Sequence, residues 1–288
     1  MALRPLNAIA LCAGGGGLEL ALRIAEPRYR CVCFVEQEAR AAATLVARMA
    51  DQALDQAPAW DDLKSFDGHP WRGVVDLLSA GYPCQPFSSS GRRRGTEDPR
   101  HLWPYVKRTI EQCLPRRVFL ENVVGHLHLG FDVVARDLQG MGFRVAAGVF
   151  SAREVGAAHH RRRLFILADA NSHTDVDPTG DRGGRDTPFR EENQPVSTGA
   201  GCSLVDPAVG LSDGKRLPQS RLPIFAPGPG DFDAWGALLR ALPRAKPALR
   251  RDDDGMADWL DRSNLVGNGV CSLAAAYAYR TLSTALSR

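Results

Sequence analysis

Short apolar runs alternate with helix-type patterns over the first 168 of the 288 residues, and this alternation is the strongest constraint on the fold. The runs are apolar throughout, as in strands covered on both faces, whereas the intervening segments repeat apolar residues every three or four positions. This order predicts an α/β fold with a doubly wound, mostly parallel sheet. Strands are predicted at 7–12, 31–36, 73–80, 117–123, 143–150 and 163–168, and helices at 18–26, 38–50, 102–114 and 132–141.

The pattern changes after residue 168. Segment 169–255 is rich in Gly, Pro, Ser, Thr and Asp, with one clear helical pattern at 232–242. The remaining residues contain a Gly-Asn-Gly turn and a helix too apolar to be fully exposed. We therefore predict an α/β domain at 1–168, a small loop-rich domain at 169–255 and a C-terminal segment at 256–288 that returns to the first domain.

Charge and cysteine content exclude few classes of protein. The net charge of +3 permits a polyanionic partner without requiring one. The seven cysteines include no Cys-x-x-Cys pair, so we expect no zinc ribbon or other metal site, and a reduced, cytoplasmic protein. The apolar start is too short for a secretion signal, and no run reaches membrane-spanning length, so no membrane association is expected.

Four consecutive glycines, Gly14 to Gly17, connect the first predicted strand to the first helix and favour close approach of a ligand. Glu19 stands where a dinucleotide fingerprint has its third glycine; it would repel a diphosphate and attract an amino group. Glu36 ends the second strand, where a carboxylate can accept both ribose hydroxyls. Asp62 is a candidate for the adenine amino group. S-adenosylmethionine fits this set, and tight or solvated turns are the alternative.

Cys84 follows the strand predicted at 73–80, at the edge where open α/β sheets bind ligands. Pro83 and Pro86 fix the backbone on both sides of the cysteine and remove two amide donors. A thiol held on such a loop is typical of a nucleophile. From this stretch alone, an inert loop cysteine is an equal alternative.

Three further residues are candidates at the same edge. Glu121 lies near the end of the strand predicted at 117–123, where a carboxyl group can share a proton with a bound base. Arg161 and Arg163 are two positions apart at the start of the last predicted strand, so they face one side. Two guanidinium groups there suit a carbonyl oxygen or a phosphate, although basic residues are common at strand starts.

Taken in order, these motifs resemble the cytosine carbon-5 DNA methyltransferases. They are Gly-Tyr-Pro-Cys-Gln-Pro-Phe-Ser at 81–88, Glu-Asn-Val at 121–123, the spaced arginines before Leu-Phe-Ile-Leu-Ala, and Gly-Asn-Gly-Val at 267–270. The resemblance spans residues 9 to about 280, apart from 169–255. It implies transfer of a methyl group from S-adenosylmethionine to carbon 5 of a cytosine flipped out of a specific short sequence in double-stranded DNA, with S-adenosylhomocysteine as product.

The resemblance also implies roles for individual residues. Cys84 would attack carbon 6, Glu121 would hold ring nitrogen 3, Arg163 would hold the exocyclic oxygen, and Arg161 would support the site. Domain 1–168 would be catalytic and cofactor-binding, and domain 169–255 would recognise the target. Cofactor-binding residues would be Cys12, Gly14, Gly16, Gly17, Leu18, Glu19, Glu36, Asp62, Leu63, Pro83, Asn268 and Val270, and DNA-binding residues Gln85, Ser88, Arg92, Arg93 and Arg94.

Three positions depart from the family pattern: Cys12 replaces a common Phe, His159 a Gln, and Cys271 or Ser272 a Pro. They put cofactor affinity and site geometry in doubt, not the nucleophile. An RNA cytosine methyltransferase acting on transfer RNA and a catalytically silent DNA-binding relative stay open, whereas the glycine spacing disfavours a nicotinamide oxidoreductase. We expect a monomer in a bacterial or phage-infected cell, associated with the nucleoid, and a cognate restriction endonuclease as a functional partner.

Overall fold

The computed structural model describes residues 4–83, 102–170, 202–205, 232–241 and 269–287. The strands are β1 Leu6–Leu11, β2 Tyr29–Val35, β3 Ala59–Trp60, β4 Leu77–Ala80, β5 Arg117–Val123, β6 Phe143–Ser151, β7 Arg162–Ala170 and β8 Cys202–Val205. The α-helices are α1 Gly17–Ala25, α2 Ala39–Ala50, α3 Trp103–Cys113, α4 His126–Leu129, α5 Phe131–Gly140, α6 Phe232–Ala241 and α7 Ser272–Leu286.

The strands form one sheet in the order β3-β2-β1-β4-β5-β7-β6-β8. Among these eight described strands, β7 alone is antiparallel to its neighbours. Side chains of α3 and α5 pack on one face of the sheet, and side chains of α1, α2 and α7 pack on the other. Adjacent residues of β5 show this division, since Leu120 faces the first layer and Phe119 the second. The predicted doubly wound, mostly parallel α/β fold is confirmed.

The strand predicted at 73–80 begins only at Leu77. Gly73 has a left-handed φ of 78°, which a strand does not accommodate, and it lies in a turn at 72–74 that follows the short 3-10 helix His69–Trp71. The Asp76 carboxylate accepts a hydrogen bond of 2.9 Å from the Asn7 amide and pairs with Arg4. These contacts hold the turn against the start of β1, and the strand β4 therefore begins after Asp76.

Two edge strands were not predicted from the sequence. β3 has two exposed residues and pairs with β2, and β8 has four residues and pairs with β6. β8 lies within segment 169–255, so this part of the segment extends the sheet of the first domain. The domain boundaries at 168 and 255 stay predictions.

The helix α7 packs against α1 on the same face of the sheet. The Ser272 hydroxyl donates a hydrogen bond of 2.8 Å to the Gly17 carbonyl, and Arg280 donates one of 2.9 Å to the Ile24 carbonyl. Farther along the sheet, Arg117 donates to the Tyr279 hydroxyl at 3.1 Å. None of the helices in the described part of the chain is long and apolar enough to cross a membrane.

Candidate active site

The parallel strands β1, β2, β4 and β5 end at one edge of the sheet, and polar segments follow or end each of them. The glycine loop follows β1, Glu36 follows β2, the segment 81–83 follows β4, and Glu121 lies near the end of β5. The antiparallel β7 begins at this edge, where Arg163 is opposite Val123. This edge is where open α/β sheets bind their ligands.

The glycine loop turns the chain from β1 into α1. Gly14 and Gly16 have left-handed φ angles of 55° and 77°. A Cβ on Gly16 would lie 2.4 Å from the Cδ1 atom of Leu54, whereas a Cβ on Gly14 would have no described atom within 4 Å. Gly16 is therefore required by the turn, and Gly14 leaves open space beside the loop. A Cβ on Gly17 would lie 3.0 Å from a methyl group of Val270, so this glycine allows the C-terminal segment to approach.

Glu36 holds the glycine loop through its carboxylate. One oxygen accepts a hydrogen bond of 2.7 Å from the Gly14 amide, and the other accepts one of 2.8 Å from the Glu38 amide. A carboxylate oxygen can accept a second hydrogen bond, so both oxygens retain capacity for a pair of hydroxyl groups. The carboxylate predicted to bind ribose is thus fixed in orientation by the loop that it would serve.

Glu19 is a buried acid, with only 1% of its surface exposed. Its Oε1 atom accepts a hydrogen bond of 3.0 Å from the Ser79 hydroxyl, and its Oε2 atom has no partner among the described residues. Burial raises the pKa of Glu19 to about 7, although its hydrogen bonds act in the opposite direction. A buried oxygen without a partner is costly, so a donor such as an ammonium group would stabilise it.

Glu121 and Arg163 form an ion pair across the adjacent strands β5 and β7. The Arg163 Nε atom lies 3.0 Å from the Glu121 Oε1 atom, and 13% of the Glu121 side chain is exposed. Burial raises the pKa of Glu121 to about 7, even though the positive charges of Arg163 and Arg161 lower it. The carboxyl group can therefore exchange a proton near neutral pH, as a general acid or base must.

Arg161 acts on another part of the site. Its guanidinium donates a hydrogen bond to the Gly269 carbonyl, and its backbone has an unusual φ of 23°. Gly269 and Val270 line the cavity that contains the glycine loop and Glu121, while Arg161 does not line it. The structure thus places Arg161 as a link between the start of β7 and the C-terminal segment.

A cavity of about 880 Å³ joins the glycine loop to the Glu121–Arg163 pair. This volume is in the range of small-molecule sites. The residues predicted to be functional that line it are Cys12, Gly14, Gly17, Leu18, Glu19, Glu36, Asp62, Leu63, Pro83, Glu121, Arg163 and Val270.

Other predicted residues are not in this wall. Gly16 does not line the cavity, and its observed role is in the turn. Cys84, Gln85, Ser88, Arg92, Arg93, Arg94 and Asn268 lie outside the described residues.

Sequence reasoning missed several residues of the cavity wall, including Gln37, Glu38, Tyr82, Leu102 and Asn122. Gln37, Tyr82 and Asn122 are each adjacent to a predicted residue near the end of a strand, and that proximity is the signal that could have found them. The placement of Asp62 has a similar cause, because it follows the unpredicted strand β3 at the same sheet edge. Its carboxylate also accepts a hydrogen bond of 2.9 Å from the Lys64 amide, as in an acidic turn.

The charges that line the cavity fit S-adenosylmethionine better than a dinucleotide. Besides Glu121, which is paired with Arg163, the acidic side chains of Glu19, Glu36, Glu38 and Asp62 line the cavity. Arg163 is the only Arg or Lys among the described residues of its wall. A diphosphate would be repelled by this set, whereas a cationic ligand with a ribose would be attracted. The open space beside Gly14 and the unpartnered oxygen of Glu19 are consistent with such a ligand.

Cys12 is the one thiol in the described wall of the cavity, and it is a poor nucleophile. Burial, with a smaller contribution from Glu36, raises the pKa of Cys12 to about 12. Its thiol therefore stays protonated at neutral pH, whereas nucleophilic attack requires the thiolate. A nucleophile for this cavity must come from another residue.

Comparison with known proteins shows the family of this chain. The family described as C-5 cytosine-specific DNA methylase matches residues 6–197. Type II methyltransferase M.NgoMIV of Neisseria gonorrhoeae is 30% identical over 172 residues, which cover 58% of this chain and 53% of that protein. Type II methyltransferase M.BsuFI of Bacillus subtilis is 31% identical over 223 residues, covering 75% and 50% of the two chains. The chain thus spans about half the length of these relatives.

The fold also matches a solved structure. The S. pombe Dnmt2 methyltransferase aligns with a TM-score of 0.57 over 98% of this chain and 100% of that chain, at 15% sequence identity. This likeness supports the fold alone. The family match supports membership of the family, because it covers most of the sheet and both ends of the cavity. The protein belongs to the C-5 cytosine-specific DNA methylase family.

Proposed function

We propose that the protein transfers a methyl group from S-adenosylmethionine to carbon 5 of cytosine in double-stranded DNA. The observation that carries this proposal is the single cavity that joins an acidic glycine-loop site to the Glu121–Arg163 pair. One end suits a cationic ribose-containing methyl donor, and the other presents a proton-exchanging carboxyl group to a heterocyclic base. The names of the type II relatives are consistent with a role in restriction and modification, with a restriction endonuclease as functional partner.

The cofactor would be held by the residues around the glycine loop. Glu36 would accept the ribose hydroxyls, Asp62 the adenine amino group, and Glu19 the ammonium group of the amino acid end. When bound, S-adenosylmethionine supplies an electrophilic methyl group. The chain's own residues must then make carbon 5 of cytosine nucleophilic, because this carbon is too electron-poor to accept the methyl group directly.

Cys84 would provide that activation as a thiolate that adds to carbon 6. Glu121 would donate a proton or hydrogen bond to ring nitrogen 3, so that electron density moves onto carbon 5. Arg163, whose guanidinium is beside Glu121, would bind the exocyclic oxygen of the base. After carbon 5 has been methylated, a base removes the carbon-5 proton, and the electron pair of that bond restores the ring double bond and expels the Cys84 thiolate.

The test is transfer of labelled methyl groups from S-adenosylmethionine to two substrates, duplex DNA from a methylation-deficient host and transfer RNA, with a reaction without nucleic acid as the blank. We expect label in duplex DNA only, recovered as 5-methylcytosine after digestion. Label in transfer RNA would support the RNA methyltransferase alternative. No transfer to either, with S-adenosylmethionine bound, would support a silent DNA-binding relative.

Glu36→Ala is expected to weaken S-adenosylmethionine binding about ten- to hundredfold, because a hydrogen bond to a charged group contributes about 1.5–3 kcal/mol. The variant also loses the acceptor of the Gly14 amide, which adds to the effect. Titration calorimetry measures the change, with Glu111→Ala, an exposed carboxylate on α3, as the matched control. Equal affinity for S-adenosylmethionine in the two variants would contradict the proposal that Glu36 binds the ribose.

We also propose that segment 169–255 selects the DNA sequence. The cavity supplies the same chemistry to any flipped cytosine, so selection must come from elsewhere, and this segment holds Arg182, Arg185, Arg190, Lys215, Arg216 and Arg221. Arginine paired with guanine is the commonest specific contact in the major groove. Gln85, Ser88 and Arg92 to Arg94 would contact DNA independently of its sequence.

Exchange of residues 171–255 for the equivalent segment of a relative with a different target is expected to transfer the target. The exchange begins after β7, which ends at Ala170, so that the central strands stay intact. Sequencing of methylated DNA after expression measures the outcome, and unchanged cofactor affinity is the control for folding. An active exchanged protein that still methylates the original site would place recognition outside this segment.

A further inference from the structure

Beside the proposed catalytic groups lies a buried polar cluster that the mechanism above does not use. It consists of Tyr82, Asn122 and His126, which are 4%, 3% and 5% exposed. The Tyr82 hydroxyl and the His126 Nε2 atom share a hydrogen bond of 3.1 Å, and the two rings meet edge to face at 5.8 Å. Buried polar groups are costly unless they are paired, so this arrangement has a defined geometry.

The cluster fixes both the backbone and the side chain of Tyr82. The Asn122 amide group donates a hydrogen bond of 3.2 Å to the Tyr82 carbonyl, and its oxygen accepts one of 2.8 Å from the Val123 amide. The Tyr82 ring also packs against Trp103 at 5.7 Å. Because Tyr82 precedes a proline, its own backbone is further restricted.

His126 is enclosed as tightly as Tyr82. A Cβ on Gly130 would lie 2.7 Å from the Cε1 atom of His126, so the absence of a side chain at this position allows the ring to occupy its place. His126 is the first residue of α4, which follows β5 after a two-residue turn. The hydrogen bond therefore connects the end of β5 to the chain that leaves β4.

These contacts connect two parts of the proposed mechanism. Asn122 is adjacent to Glu121 on β5, and Tyr82 is separated from Cys84 by Pro83 alone. We infer that Tyr82 and His126 are positioning residues, which hold the Tyr82–Pro83 backbone at a fixed place relative to Glu121 and so set the approach of the nucleophile to the base. This inference rests on the proposed function. Tyr82 lines the cavity, and its proposed role is to hold the backbone that leads to Cys84.

Tyr82→Phe, which removes a single hydroxyl group, is the primary test. We expect kcat for methylation of duplex DNA to fall about ten- to hundredfold, because small displacements of reacting groups have effects of this size. KM for DNA and the Kd for S-adenosylmethionine should change less than twofold. Tyr279→Phe is the matched control, since it removes a buried hydroxyl that accepts a hydrogen bond from Arg117, away from the cavity.

The double variant Tyr82→Phe/His126→Leu keeps the test valid if the single variant folds poorly. Replacing both partners with apolar groups leaves no buried hydrogen-bonding group unpaired at this contact. We expect its kcat to match that of Tyr82→Phe, because both changes remove the same interaction. A kcat in the double variant well below that of Tyr82→Phe would overturn the inference. So would a kcat in Tyr82→Phe no lower than that of Tyr279→Phe. An inactive wild-type protein would instead contradict the proposed function.

Discussion

Replacing Cys84 with serine is expected to reduce methyl transfer to DNA at least about a thousandfold, with S-adenosylmethionine binding unchanged. A serine hydroxyl is protonated at neutral pH and cannot replace a thiolate as the attacking group. Cys12 cannot compensate, because burial raises its pKa to about 12. Single-turnover methyl transfer measures the loss, and calorimetry with the cofactor shows whether the site is intact.

Cys271→Ser is the matched control, because Cys271 is partly exposed and occupies the N-cap position of α7, where serine is a preferred residue. This variant should keep its activity. DNA with 5-fluorocytosine at the target gives a second measurement, because fluorine cannot leave as the carbon-5 proton does. The wild-type protein should form a denaturation-resistant adduct at Cys84, and an adduct in Cys84→Ser, or none in the wild type, would contradict the covalent mechanism.

Glu121→Gln is expected to lower kcat about a hundredfold or more at neutral pH, while the Kd for S-adenosylmethionine stays the same. The amide can still donate a hydrogen bond to ring nitrogen 3 but cannot transfer a proton. Because burial raises the pKa of Glu121 to about 7, the wild-type carboxyl group loses its proton as the pH rises through 7. The advantage of the wild type over the variant in kcat/KM should therefore decrease above pH 7.

The quantity to measure is the ratio of kcat/KM in the wild type to kcat/KM in Glu121→Gln. Both proteins contain Cys84, so any effect of pH on that residue cancels in the ratio. Glu111→Gln on the exposed side of α3 is the control for loss of a carboxylate. A ratio that is constant from pH 6 to pH 9 would show that Glu121 does not act through its proton.

The sheet could be predicted from the sequence because both of its faces are covered. The residues 8–11 of β1 and 118–120 of β5 are buried and form apolar runs, and both strands end within one residue of the predicted positions. β3 and β8 could not be found in this way, since a short edge strand is held by backbone hydrogen bonds and needs no apolar run. The one-turn helix α4 is too short to show a periodic pattern.

The site was predictable to the extent that parallel strands bring their ends together. Glu36 and Glu121 stand at such ends, and Arg163 stands at the same edge because the antiparallel β7 begins there. The structure places all three in one cavity wall. The contact between Arg161 and Gly269 was not predictable, because the sequence gives no sign that residues so far apart in the chain meet. The Tyr82–His126 pair is similar, since neither residue is unusual until the fold places them side by side.

The packing of α7 on α1 has a consequence for how the chain reaches its native state. Ser272 and Gly17 are 255 positions apart, and their contact closes nearly the whole chain into a loop. Such non-local contacts form slowly, because chain entropy must be lost before they contribute stability. During synthesis α1 is made long before α7, so the face of α1 that α7 covers stays uncovered until residues 272–286 have been made, and Val270 reaches the glycine loop only shortly before. The wall of the cavity is therefore incomplete until residues 269 and 270 have been synthesised.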